Sequence, residues 1–271
     1  MIKAIVYKEL TQFRRDGRIL IIFCITMALA ITAALHSWNQ TQTLAKERQN
    51  ATQADRDTWD NQGPKNPHTA AHFARYVFHP TSSLSAFDPG LSQHIGQAIW
   101  VEAHYRDPAT LRQVEDAVEL NRLSQLTPAW ILQVFVPLLI ILLAFNMIAG
   151  ERELGTLRQV MSSGIQAQQM LWGKSIAIFI VLLLLSPAIL LPLILSQQLH
   201  VHSQISELAS RWLVILIAYG LYTLAFVFAS IGVSARVKST KQALFILLGF
   251  WAVSILFLPR FATDVGFTVC N

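Results

Sequence analysis

Three groups of residues have types and spacings that could do chemistry. The first lies between Gly150 and Lys174, in the stretch GERELGTLRQVMSSGIQAQQMLWGK. Gly150 can precede a helix start, and Glu151 and Glu153 then fall in a first turn, where carboxylates suit the positive end of the macrodipole. Leu154, Leu157, Met161 and Ile165 recur at near-helical spacing and make one apolar face. Arg152, Thr156, Gln159, Ser162 and Ser163 supply the polar positions around it. The spacing predicts a short amphipathic helix, accessible to a soluble partner. The second group is histidine. His68 and His72 stand at i, i+4, His79, His94 and His104 follow, and His200 and His202 form a small cluster of their own. Imidazole is a common transition-metal ligand. No cysteine or carboxylate completes a recognisable ligand spacing, and Pro67 precedes His68, so these read as solvated or helix-surface histidines and no metal is expected. The third is Gly173-Lys174-Ser175, which imitates the end of a phosphate-binding loop. Such a loop needs glycine at position 168, where the chain has Gln168, and it follows a strand. Here the triplet opens an apolar run, and Lys174 reads as an interface anchor that snorkels to the membrane surface. No nucleophile elbow or HExxH pair occurs. The chain thus encodes no ATPase machinery and no catalytic constellation.

The elements that position these residues follow from composition. Of 271 residues, 53% are hydrophobic and 14% charged. The apolar residues are gathered into runs near 20 residues, long enough to cross a hydrocarbon core of about 30 Å as helices. The fold class is therefore an all-α polytopic membrane protein with five predicted transmembrane helices. Residues 1–18 form a cytoplasmic interfacial helix, with Ile2, Ile5, Val6, Leu10 and Phe13 as its apolar stripe. Residues 19–38 are the first span. Residues 39–127 form a small, mostly helical external domain. Its turn signals are Gly63-Pro64, Asn66-Pro67 and Asp88-Pro89-Gly90. They separate a polar helix, about Thr41 to Asp60, from a second helical patch, about Leu91 to Leu126, with Leu111, Val114, Val118 and Leu123 at helical spacing. The second span is 128–148, opened by Pro128 at a first-turn position. Residues 149–170 hold the amphipathic helix. The third span is 171–195, with Pro187 and Pro192 near its far end, where proline frees backbone carbonyls. An external loop at 196–210 leads to the fourth span, 211–234. Arg236, Lys238 and Lys241 make a basic turn at 235–242. The fifth span is 243–258, and 259–271 is an external tail.

Orientation follows from basic residues in the short segments. One side holds Lys3, Lys8, Arg14, Arg15, Arg18, Arg152, Arg158, Lys174, Arg236, Lys238 and Lys241. The other holds Arg211 and Arg260. The first side is cytoplasmic, N-terminus included, and the protein is expected in the cell's inner (plasma) membrane. The net charge of +5 is a topology signal rather than a nucleic-acid footprint, so no nucleic acid is expected. Cys24 and Cys270 are too far apart in the topology to form a disulfide framework. The spans carry almost no ionisable residues, which argues against an ion-coupled carrier.

The segment opening at Gly150 resembles the permease subunits of type-2 ABC exporters, in a subgroup with a large external loop after the first span. The matching positions are Gly150, Glu151, Glu153, Gly155, Thr156, Leu157, Ser163, Gly173 and Lys174. Gly164 departs from the pattern, since the family often has proline there. The run HPTSSLSAFDPG from His79 to Gly90 and the Pro259-Arg260 pair resemble the same subgroup. The resemblance implies that 149–170 is the coupling helix. Glu151, Glu153, Gly155, Thr156, Leu157 and Ser163 would then meet a separate ABC ATPase subunit, which carries ATP and Mg. It also implies a second permease copy or paralogue, and a sixth span; the chain is expected to be either a shortened protein or a fragment lacking that span. The expected function is an ATP-driven permease for a hydrophobic, lipid-like or peptide cargo. The alternatives from other classes are a membrane-anchored scaffold or assembly factor with an external partner-binding domain, and a membrane enzyme using the external histidines.

Overall fold

The computed structural model describes residues 1–79, 82, 84–90, 98–106, 126–196 and 205–258. Residues 91–97 and 107–125 of the helical patch expected at about Leu91 to Leu126, residues 197–204 of the loop expected at 196–210, and the tail at 259–271 with Pro259-Arg260 lie outside the described residues. So do His94, His200 and His202, and part of the run from His79 to Gly90. In chain order the elements are α1 (Ile2–Arg15), α2 (Gly17–Asp60), α3 (Pro67–Ala71), β1 (Arg75–Phe78), β2 (Ala98–Glu102) and β3 (Tyr105–Arg106). Then come α4 (Pro128–Ala144), α5 (Ala149–Glu153), α6 (Thr156–Ser162), α7 (Ala167–Ser196), α8 (Ile205–Arg236) and α9 (Thr240–Trp251). Among the described residues, the helices long and apolar enough to cross a membrane are Gly17–Asp60, Pro128–Glu153, Ala167–Ala188, Ala209–Arg236 and Thr240–Phe257. Their number agrees with the five predicted transmembrane helices.

The chain divides into two compact units. The first comprises Met1–Ile31, Trp130–Ile189 and Ser203–Asn271, the second Thr32–Ala129 and Leu190–His202. In the first unit the core is built on α4, whose Val136, Leu139, Ile140 and Leu143 are buried with Ala177, Ile178 and Leu185 of α7 and Val227 and Ile231 of α8. Helix α4 contains Pro137, which cannot donate to the carbonyl four residues back and crowds it. Another helix supplies the missing donor: the Tyr222 hydroxyl donates to the Gln133 carbonyl at 2.8 Å. The Trp251 indole N–H donates to the neighbouring Val134 carbonyl at 3.0 Å.

Helix α1 turns its apolar stripe toward the protein core. Ile5 and Phe13 are buried, and Val6 and Leu10 pack against the core. The reason is Gly173 on α7. A Cβ there would come within 2.8 Å of Ile5 Cγ2, so the missing side chain is the notch into which α1 settles. The stripe covers protein, and Lys3, Tyr7 and Arg14 remain exposed.

The second unit carries the largest departure from expectation. Residues Ala98–Glu102 and Tyr105–Arg106, placed by periodicity in a helix, are strands. They join β1 in an antiparallel sheet of order β1-β2-β3, with Tyr76 opposite Trp100 and Val77 opposite Ile99. The run Ile99-Trp100-Val101 is β-branched and aromatic throughout, which suits a pleated surface better than a helix. The expected polar helix from Thr41 is present as the continuation of α2 to Asp60. Asp55 on this helix holds the sheet. It accepts from Arg75 Nε at 2.9 Å, from Arg75 Nη2 at 2.7 Å and from the Tyr76 N–H at 3.2 Å. Helix α3 starts as its sequence dictates, with Pro67 in the first turn and the Asn66 side chain accepting from the Thr69 N–H at 2.7 Å.

Candidate coupling site

Around Gly150 the chain does not form one helix. Regular α4 ends at Ala144, a turn carries residues 145–148, and α5 runs for five residues. Gly155 then adopts φ +73°, a left-handed conformation that glycine takes without penalty, and α6 begins at Thr156. The single amphipathic helix of the sequence reading is therefore two short helices with a turn between them. Its apolar stripe is divided as a result. Leu157 and Ile165 pack against the core, whereas Leu154 is 80% exposed and Met161 partly so.

The turn at 145–148 is held from α8. Ser234 Oγ donates to the Phe145 carbonyl at 2.9 Å and accepts from the backbone N–H groups of Ile148 at 3.2 Å and Ala149 at 3.1 Å. One hydroxyl thus serves both ends of the break. A Cβ on Gly150 would fall 2.0 Å from Asn146 Oδ1, so a larger residue there would have to turn the Asn146 side chain aside.

The three charged residues after Gly150 each take hold of a different part of the molecule. Glu151 faces two lysines. Its Oε1 accepts from Lys174 Nζ of α7 at 2.9 Å and from Lys8 Nζ of α1. Lys174 also donates to Glu9 of α1 at 2.6 Å and to the Met147 carbonyl at 2.8 Å, and Lys8 donates to Glu9 at 3.1 Å. The four side chains make a neutral cluster of two cations and two anions. Arg152 reaches the C-terminal end of α8, donating to the carbonyls of Ala235 at 2.6 Å and Val237. A cation there satisfies end carbonyls and complements the negative end of the macrodipole. Glu153 reaches the start of α9, accepting from the Thr240 hydroxyl at 2.8 Å and its N–H at 3.3 Å. Ser239 completes that start by accepting from the Gln242 N–H at 3.3 Å. The adjacent Arg152 and Glu153 therefore grip the two sides of the basic turn between α8 and α9.

These placements correct two expectations. Lys174 does not snorkel. Its side chain is 1% exposed, turned inward because two carboxylates and a backbone carbonyl take all three of its protons. Glu153 does not sit in a first turn but at the last residue of α5, since Gly155 ends the helix there. Glu151 is in a first turn, but its carboxylate serves the lysines, and its side chain is 12% exposed. Burial pushes the Lys8 pKa down, and the hydrogen bond to Glu151 with the charges of Glu9 and Glu151 more than reverses this, so its ammonium is held above the ordinary lysine value. Thr156 closes the break by donating to the Glu151 carbonyl at 3.2 Å. Ser163 is exposed and bonds back to the Val160 carbonyl at 2.7 Å.

Glu9, Ser234 and Thr240 escaped the sequence reading. Glu9 left a signal. It is the one acid in Met1–Arg15 and lies on the stripe Ile5, Glu9, Phe13 at intervals of four, where a carboxylate needs a buried cation. Ser234 and Thr240 left none, because their roles depend on what packs beside them.

In the second unit, His68, His72 and His104 come together. The ring centroids of His68 and His72 are 4.8 Å apart and those of His72 and His104 5.0 Å. Among the described residues no group of three or more His, Cys, Asp or Glu side chains is arranged to hold a metal ion.

The family model of the ABC-2 family transporter proteins matches residues 3–268. The chain belongs to that family. No curated protein matches it. This ABC-2 protein is a multi-pass membrane protein and the membrane-spanning permease of an ABC transporter, with an ABC ATPase subunit as its partner. The resemblance carried by Gly150 through Lys174 and the family match agree. The charged segment lies within the matched stretch, running from the end of the candidate span Pro128–Glu153 into the start of Ala167–Ala188.

Proposed function

We propose that this permease works as an ATP-driven exporter, as a pair of permease chains with two ATPase subunits, and that the segment Glu151–Ser163 transmits the ATPase movement to the spans. The observation that carries this reading is the division of labour within the segment. Glu151, Arg152 and Glu153 are each bonded to other helices, and the turn that follows presents Leu154 outward. The carboxylates act as internal linkages, and Leu154, Arg158 and Met161 provide the contact with the ATPase. ATP and Mg belong to that partner. Movement of α5 and α6 reaches α1 and α7 through Glu151, α8 through Arg152, and α9 through Glu153. The basic residues of the short segments favour a cytoplasmic N-terminus in the inner membrane, and the apolar spans favour a hydrophobic or lipid-like cargo.

The test is a cysteine at Leu154, in a chain with Cys24 and Cys270 replaced by serine. Cross-linking to the ATPase subunit in membranes is expected, with loss of transport but retained insertion when Leu154→Asp is introduced. Normal assembly and transport by that variant would sink the assignment. A cysteine at Gly63 tests orientation: labelling by an impermeant reagent from the outside is expected, and labelling from the cytoplasmic side alone would refute it.

A further inference from the structure

We propose that the second unit carries a binding site for a neutral, largely apolar molecule, in the pocket between the polar half of α2 and the sheet. Its use as a station for cargo rests on the exporter reading; the site itself does not. The pocket has a volume of about 570 Å³, within the range of roughly 300–1,000 Å³ typical of small-molecule sites. Trp59 lines it from α2, Phe73, Tyr76 and Phe78 from the β1 side, and Val101 from β2. Trp59 and Phe73 meet edge to face with centroids 5.8 Å apart, giving two fixed aromatic walls.

Asp55 and Arg75, two of the charged groups in the lining, are matched to each other. Asp55 takes two N–H groups of Arg75 and the Tyr76 N–H, and the Arg75 guanidinium lies 5.3 Å from the Trp59 ring centre. Glu102 stands 3.8 Å from His72 Nδ1. The Thr52 hydroxyl donates to the Arg48 carbonyl of its own helix at 2.8 Å. An anion would give up its hydration and find Arg75 already held by Asp55, and a cation would find only Glu102, whose side chain is 35% exposed and hydrated. An alkyl chain or a flat uncharged ring loses nothing comparable and gains aromatic and aliphatic contact. That chemistry is shared by the acyl chain of a membrane lipid and by a free long-chain neutral molecule.

The experiment uses the full chain in lipid nanodiscs and two photoreactive probes. One is a long-chain alcohol bearing an alkyl diazirine, the other a phosphatidylcholine with the diazirine in one acyl chain. Covalent labelling is mapped by mass spectrometry. Labels at Trp59, Phe73 or Val101 are expected, falling to background in Ala71→Trp, which fills the pocket, while labelling of the spans stays constant. Labelling by the alcohol alone assigns the site to a free amphiphile, and labelling by the phospholipid alone to a lipid chain. Both support the proposal. Thr52→Trp, which fills the pocket from α2, replaces the first variant if that one fails to insert. Labels confined to the spans, or pocket labelling unchanged in both filled variants, would overturn it. Because labelling needs no ATPase, a labelled pocket in a protein that exports nothing removes the exporter reading and keeps the site.

Discussion

Replacing Lys174 by methionine tests whether the neutral cluster is a buried joint or a surface ornament. The lysine side chain is 1% exposed and that of Glu9 is 2% exposed. Its three protons go to Glu9 at 2.6 Å, Glu151 at 2.9 Å and the Met147 carbonyl at 2.8 Å. Methionine has similar length and removes all three. Glu9 is then left buried with only Lys8, half exposed and 3.1 Å away. Breaking a buried pair by removing one partner costs about 3–5 kcal/mol. The remaining Lys8 softens this, so a loss of about 3 kcal/mol is expected, roughly a hundredfold in the unfolding equilibrium. Glu9→Gln should cost less, about 1–2 kcal/mol, because Lys174 keeps Glu151 and Met147 and loses only one charge-assisted bond. The double variant Glu9→Gln with Lys174→Met should cost less than the sum, by at least about 1 kcal/mol, since the orphaned carboxylate has gone. Equilibrium unfolding in mixed micelles, followed by tryptophan fluorescence, measures all three. Wild-type stability in Lys174→Met, or strict additivity in the cycle, would show that the lysine lies in water and the cluster joins nothing.

Gly173→Ala should lower stability by about 1–3 kcal/mol through overpacking against Ile5, with a lower melting temperature and easier proteolysis of α1 as the readouts. Gly155→Ala should cost about 1–2 kcal/mol, the penalty of a left-handed residue with a Cβ, and should impair coupled ATPase activity more than insertion. Tyr222→Phe should cost about 1 kcal/mol by leaving the Gln133 carbonyl without its donor. In a Pro137→Ala background the same change should cost close to nothing, because the restored N–H takes over that carbonyl. Equal effects of Tyr222→Phe in both backgrounds would refute the proline account.

The spans were legible because membrane crossing needs a property of the segment alone, its length and apolarity. The charged segment stood out for the same local reason, an island of polar residues between apolar runs. What it does with its charges was not legible. Glu9 and Lys174 are 165 positions apart, and nothing in either neighbourhood names the other. Sequence reasoning gave Lys174 to the membrane surface because a lone lysine at a span end usually snorkels. The inward turn needs two carboxylates brought from α1 and α5, which only packing decides. The strand Ala98–Glu102 failed for a different reason. It is five residues long, too short for period two to stand out against the helical spacing read across a window reaching Leu126. Its β-branched and aromatic composition was the better guide.

The consecutive placement of Glu151, Arg152 and Glu153 has a geometric cause. Successive side chains on a helix point about 100° apart, so three in a row sweep most of the circumference of α5. Spaced at i and i+4 they would have faced one neighbour and gripped one helix. Spaced as they are, they reach α1 and α7, the end of α8 and the start of α9. Alternating sign then keeps each linkage specific. The acids meet lysine ammonium groups and a helix start, and the arginine meets a helix end, where the macrodipole favours a cation. A five-residue helix with no apolar core of its own is held rigidly to four longer ones in this way. On the proposed coupling, a push on the exposed turn at Leu154 would reach the helices to which those three side chains are tied.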